Sequence, residues 1–207
     1  MARLIFGKIL TAALKSDTFA KSRTVANHWF MRKSAKYRGS KKDITTLPHG
    51  ESQKTIRGEM LGNLYFFGYN PINKESLKYW DAFPLVLPIE LTTNGILGIN
   101  FHYLPFKHRA ILLDNLMELE RTSALTERAG VLEKRKITYE HLSAYSKYKY
   151  FKPALKHYYY SHITSRMIEL NKAEWKIALF LPVDDFQKEN TKTVWDDTIK
   201  QVRKKNT

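Results

Sequence analysis

Between residues 83 and 103, two short apolar runs stand on either side of a turn signal. Phe83-Pro-Leu-Val-Leu-Pro-Ile-Glu90 carries prolines near both ends, and Ile96-Leu-Gly-Ile-Asn-Phe-His-Tyr103 stops at Pro105. Thr92-Thr-Asn-Gly95 lies between them, and an Asn-Gly pair supplies the positive φ that a tight hairpin turn demands. The pattern predicts a β-hairpin over 83–103. Its first strand is expected at a sheet edge, where proline's missing N–H faces away from the ladder. Upstream, the aromatic run Leu64-Tyr-Phe-Phe-Gly-Tyr69, closed by Asn70-Pro71, predicts another strand.

After Pro105 the apolar period changes. Ile111, Leu112, Leu113, Leu116, Met117 and Leu119 recur at helical spacing and predict a helix over 106–121. Thr138 opens a second helical stretch to Lys147, and Lys152–Thr164 predicts a third, with Pro153 in its first turn. Residues 165–170 suit a short strand. Asn171 then caps a helix through Phe180, stopped by Pro182, and the tail 191–207 is expected to start helical and fray. At the other end, helices are predicted near 3–15 and near 21–36. The fold class expected is α+β: a small antiparallel sheet packed with several helices, plus a basic helical N-terminal arm. The expected division is a basic extension at 1–60, a compact core at 61–190 and a basic tail at 191–207.

Charge changes this picture from a fold to a partner. The net charge is +15, from 35 Lys and Arg against 20 Asp and Glu. Residues 1–60 hold thirteen of those basic residues and only four acidic ones, and Lys21 to Lys42 contains eight basic residues and no acidic one. An excess this large, and this local, favours a polyanionic partner, nucleic acid first, over a solvated face kept charged for solubility. No segment has the apolar length of a membrane span. The start, Met1 to Leu14, has an apolar run broken by Lys8, which fits a short amphipathic helix better than a cleaved signal. A soluble chain is expected.

Candidate chemistry is sparse. Without cysteine there is no disulfide, thiolate nucleophile or cysteine zinc site. The seven histidines, at 28, 49, 102, 108, 141, 157 and 162, include no pair at the four-residue spacing that puts two ligands on one helix face. Gly58-Glu-Met-Leu-Gly62 lacks the Lys-Ser/Thr ending of a phosphate loop. A metal-dependent nuclease would need clustered carboxylates, and the candidates are Asp81, Glu90 and Asp114. No lysine stands two residues after Glu90, as a restriction-type site would require. The expectation is a protein that is not an enzyme, with no cofactor, no metal and no small-molecule substrate.

Interleaved Lys and Tyr remain, in Tyr145-Ser-Lys-Tyr-Lys-Tyr-Phe-Lys152 and Lys156-His-Tyr-Tyr-Tyr160. Lysines neutralise phosphates and aromatics stack on exposed bases, although tyrosines at 145, 148, 158 and 159 equally suit a half-buried helix face. The candidate nucleic-acid contacts are therefore Lys21, Arg23, Arg32, Lys33, Lys36, Arg38, Lys41 and Lys42, with Lys147, Lys149, Lys152 and Lys156 as a second group.

Several stretches together resemble one family. They are Gly62-Asn-Leu-Tyr-Phe-Phe-Gly-Tyr-Asn-Pro71, Leu77-Lys-Tyr-Trp-Asp-Ala-Phe-Pro-Leu-Val-Leu-Pro-Ile-Glu90, Gly95-Ile-Leu-Gly-Ile-Asn-Phe-His-Tyr-Leu-Pro105 and Arg109-Ala-Ile-Leu-Leu-Asp114. Tyr150-Phe-Lys-Pro153 and Glu174-Trp-Lys-Ile-Ala-Leu-Phe-Leu-Pro182 complete the set. Over roughly 57–197 the chain resembles the DNA end protector family of large contractile-tailed bacteriophages. The resemblance implies a virion protein, made in the host cytoplasm, that shields the ends of packaged duplex DNA and helps complete the head. It implies no catalytic residues. The implied partners are duplex DNA ends and other phage head, neck or tail proteins. The competing expectation is a structural neck, tail or baseplate component whose basic arm binds neighbouring protein subunits.

Overall fold

The computed structural model describes residues 4–16, 18–35, 60, 63–128, 151–165, 167–181 and 184–204. Its centre is an antiparallel sheet of five strands: β1 (Leu64–Phe66), β3 (Leu85–Leu91), β4 (Gly95–Asn100), β5 (Leu155–Tyr159) and β6 (Ile168–Leu170), in spatial order β5-β4-β3-β1-β6. A separate two-stranded ladder joins β2 (Trp80–Asp81) to β7 (Phe186–Gln187). Among the described residues five α-helices accompany them: α1 (Ile5–Lys15), α2 (Thr18–Ala35), α3 (Phe106–Arg128), α4 (Trp175–Phe180) and α5 (Thr191–Lys204). The α+β class is as expected.

Alternation along the strands sorts the sheet into two faces. Leu64, Phe66, Leu85, Leu87, Ile89 and Ile99 point into the main core, where they meet Phe6, Leu10 and Ala13 of α1, Trp29 of α2, Leu112, Leu113 and Leu116 of α3, and Trp175 and Leu179 of α4. The alternate positions, Tyr65, Val86 and Ile96 with Phe67, Tyr69 and Tyr158, form a smaller aromatic cluster on the other face. The hairpin turn is held at Thr92, whose N–H (2.9 Å) and hydroxyl (3.1 Å) both donate to the carbonyl of Gly95.

Two expectations are corrected here. The first concerns β3, which is not an edge strand but lies between β1 and β4. Its one proline, Pro88, is tolerated because β1 shares only two rungs with β3, at Leu85 and Val86. Pro88 lies beyond those rungs, where the register with β4 shifts. Opposite Pro88 stands Gly98, and a Cβ there would come within 2.4 Å of Val86 Cγ1 and 2.7 Å of the Leu87 carbonyl oxygen.

The second correction concerns 152–164. Pro153 does open a helical turn, but that turn is a 3-10 segment ending at Ala154. The chain then runs as β5 along β4, with Ile99 opposite Leu155 and Gly95 opposite Tyr159. Aromatic residues fit a half-buried pleated surface, and pairing with β4 outweighs the local helical start. Tyr158 and Tyr159 therefore point to opposite faces of a strand and do not share a helix face. The helix expected at 138–147 lies outside the described residues.

The helices expected near both chain ends are present, and each has a seated face. α1 buries Phe6, Leu10 and Ala13, while α5 buries Val194, Thr198 and Val202. Asn171 and Glu174 form a reciprocal capping box at the 3-10 turn leading into α4. Arg109 of α3, fully buried, donates from Nε to the Leu104 carbonyl at 2.8 Å and from Nη1 to the Leu181 carbonyl at 3.3 Å, tying α3 to the end of α4. Burial pulls its pKa down to about 10, so it remains a cation at neutral pH.

Candidate nucleic-acid interface

α2 is built as a two-sided helix. Ala26 and Trp29 are buried, with Phe19 and Phe30 half-buried against Phe106, Phe180, Phe66 and Phe83. On the opposite side Lys21, Val25, His28 and Arg32 are exposed at intervals of four, three and four residues, one continuous stripe. At the helical rise per residue, Lys21 and Arg32 lie about 16 Å apart along the axis. Arg23 leaves this stripe and places its guanidinium 6.0 Å from the centre of the Phe106 ring.

Lys33 is held more tightly. Its ammonium lies 3.1 Å from Glu174 Oε1 and 5.3 Å from the centre of the Trp29 ring. Glu174 Oε1 also accepts the Trp29 indole N–H at 3.0 Å, and its Oε2 accepts the Asn171 N–H at 3.2 Å. One carboxylate thus ties α2 to the turn preceding α4. Beside it is an open recess of 360 Å³ lined by Trp29, Arg32, Lys33 and Glu174.

The other predicted contacts are placed apart from α2. Lys152 is exposed on the 3-10 turn before β5. Lys156 is half-buried on β5, with its ammonium 4.4 Å from the centre of the Tyr103 ring, and burial lowers its pKa. Lys36, Arg38, Lys41, Lys42, Lys147 and Lys149 lie outside the described residues. Reasoning from sequence predicts α5 as a helix in a basic tail but does not name its residues as contacts; Lys192, Lys200 and Arg203 are exposed there with Asp196 among them. The signal is there in the helical period of residues 191–204. α5 packs against the turn that carries Lys152.

The carboxylates considered for a nuclease have structural employment. Asp81 is buried, accepting from the Asn100 amide at 2.9 Å and the Phe83 N–H at 3.0 Å, with His102 Nδ1 at 2.7 Å. This Asp–His pair resembles a catalytic dyad, but both side chains are sealed from solvent. Asp114 accepts the Phe6 N–H at 2.8 Å and the Gly7 N–H at 3.0 Å, which makes it the cap of α1. Glu90 is exposed on β3. Among the described residues no three His, Asp or Glu side chains gather as metal ligands.

Histidines are equally dispersed. His157 Nε2 lies 3.1 Å from the Thr92 hydroxyl and His162 Nδ1 lies 2.7 Å from the Asn70 carbonyl. His28 is exposed on α2. His49 and His141 are outside the described residues. Among the described helices, none is long and apolar enough to cross a membrane.

Among known proteins, a family model described as the phage T4 terminal DNA protecting protein matches residues 6–201. No curated protein and no solved structure matches the chain.

Proposed function

The chain belongs to the family of the phage T4 terminal DNA protecting protein, and from that membership we propose that it shields duplex ends sterically, by occupying them through phosphate contacts. It is a bacteriophage virion protein of the DNA-protecting class, and the family match runs from the first turn of α1 into the last turns of α5. The exposed stripe Lys21, His28 and Arg32 on α2 carries the reading of where the phosphates lie. Lysine and arginine there displace counterions from the duplex, a contact indifferent to base sequence. Lys33 and Arg23 flank the stripe. Lys36 to Lys42 continue the basic run in sequence, and Lys147, Lys149, Lys152 and Lys156 form the second candidate group. Synthesis in the host cytoplasm before incorporation into the particle belongs to the same proposal; the divisions near residues 60 and 190 are changes in charge, since α1, α2 and α5 pack into the same core.

Protection by occupancy needs no chemical step, since a covered end does not enter a nuclease. The test is binding of the full chain to linear and closed-circular duplex of one sequence, with exonuclease digestion of the linear form alongside. Tighter binding to the linear form, together with slowed digestion, is the expected result. Equal affinity for both topologies overturns end recognition.

A second reading has one observation in its favour. Val25 and Met31, 61% and 49% exposed, are interleaved with the basic residues of α2 and suit a protein neighbour better than a phosphate backbone. On that reading the chain is a neck or tail component, and α2 would lie against an acidic subunit in the assembled particle.

A further inference from the structure

Convex helix faces grip a continuous duplex as readily as a broken one, so the α2 stripe alone does not distinguish an end. The recess beside it is concave. Its 360 Å³ falls at the low end of ligand-sized pockets, room for one small group and far too little for a duplex. Among the described residues that line it, Arg32 and Lys33 are cations, set against the carboxylate of Glu174. Arg32 is exposed and has no carboxylate partner among the described residues. Lys33 is paired with Glu174 but retains 35% of its side-chain exposure. An ammonium carries three N–H donors, so one can face Glu174 while another meets an incoming anion.

The remaining walls narrow the choice of occupant. Trp29 is only 7% exposed, its indole N–H is engaged by Glu174, and Lys33 lies over its ring. It therefore offers a rigid wall and no free face for a base to stack on. Glu174 holds its three donors and so fixes the position of Lys33 at the rim. The site favours a compact, multiply charged oxyanion and not an aromatic ring.

We propose that the recess walled by Trp29, Arg32, Lys33 and Glu174 receives the terminal phosphomonoester of a DNA strand, with Arg32 and Lys33 as its ligands. This rests on the end-binding reading and specifies what is read at the end. A phosphomonoester carries about −1.5 to −2 charges near neutral pH and presents three free oxygens. An internal phosphodiester carries one charge and is flanked by sugars on both sides, which bars it from a concave site. A planar guanidinium matches paired phosphate oxygens, and an ammonium adds a point charge beside them.

The test uses the full chain and four duplexes of one sequence: linear with 5′-phosphate ends, linear with 5′-hydroxyl ends, linear with 3′-phosphate ends, and a closed circle. The wild-type chain is expected to bind a phosphate-bearing end about tenfold more tightly than the hydroxyl end, as charge-assisted hydrogen bonds of this kind imply. The 5′ and 3′ arms show which strand terminus supplies the group. In the double variant Arg32→Gln/Lys33→Gln the ratio is expected to fall to about one, whatever happens to overall affinity. Lys21→Gln is expected to weaken all four alike and leave the ratio intact. Equal binding of phosphate and hydroxyl ends by the wild type, with both preferred over the circle, overturns the recess while leaving end recognition standing. Equal binding of linear and circular forms removes end recognition itself. A wild-type ratio surviving in the double variant assigns phosphate reading elsewhere and overturns the proposal.

Discussion

Asp114 combines the burial of a core residue with the charge of a catalytic one, and its hydrogen bonds settle which role it plays. Both oxygens are occupied by the first free N–H groups of α1, where a negative charge also complements the helix dipole. In Asp114→Ala those donors lose their acceptor in a dry setting, a cost of about 2 kcal/mol. For a chain of this size that corresponds to an unfolding midpoint lower by about 4–8 °C, measurable by calorimetry. An unchanged midpoint would mean that α1 is seated by other means. Asp184 tests the same scale by pH. Burial alone would raise its pKa, but the charge of His102, the Thr191 hydroxyl and the Arg109 guanidinium outweigh that and hold it below the ordinary carboxylate value. As pH falls, the unfolded chain therefore takes up this proton first. The contribution to stability is full above the unfolded value of about 3.9 and is lost as pH falls through the folded one. Urea titrations between pH 5 and about 3 should show wild type losing stability that Asp184→Asn does not lose. Parallel curves would count against the assignment. Neither role was legible in the sequence, because the partners of Asp114 lie 108 and 107 positions away. A charge inside an apolar period reads as a possible active site until its distant donors are known. Asn171 and Glu174, only three residues apart, were half legible: the cap could be read, but not the bonds from Trp29 and Lys33 to the same carboxylate.

At the scale of elements, the hairpin shows what local chemistry specifies unaided. The Asn-Gly turn and its flanking runs are neighbours in sequence, and together they dictate β3 and β4. Gly98 adds a close approach that only the pairing reveals. Gly98→Ala would push a methyl group against Val86 and the Leu87 carbonyl at the bulge opposite Pro88. Overpacking of this kind costs about 1–3 kcal/mol, expected as a lower urea midpoint with an unchanged slope. A midpoint equal to wild type would contradict the tight contact. β5 shows the opposite case. Lys152-Pro153 starts a helical turn in sequence as it does in the structure, but the course of residues 155–159 is decided by the free edge of β4, more than fifty residues upstream. Local patterning carries no information about that edge, so it extends the turn into a helix.

For the whole molecule, the concentration of charge in the first sixty residues was legible, but its attachment was not. α1 and α2 are bound into the core by Phe6, Leu10 and Trp29. Each such apolar side chain is worth about 1.5–3 kcal/mol on burial, so together they approach the stability of a typical fold, about 5–15 kcal/mol. Deleting residues 1–35 is therefore expected to abolish cooperative unfolding, and loss of DNA binding in such a truncation would say nothing about contacts. Charge substitutions are the appropriate probe. Lys21→Gln and Arg32→Gln should each reduce the slope of log affinity against log salt by about 0.9 if the residue meets a phosphate. A slope unchanged in both would move α2 from DNA to a protein neighbour.

The bonds from Phe6 to Asp114 and from Trp29 to Glu174 also order events during synthesis. They span 108 and 145 residues, so the acceptors that seat α1 and α2 emerge from the ribosome long after the helices themselves. Closing such long loops is slow, and chains folding domain by domain keep unsatisfied surfaces exposed until the last partner arrives. Chains stalled near residue 120 should lose their first thirty residues to brief proteolysis, and completed chains should keep them. The part of the protein made first is the part that finishes folding last.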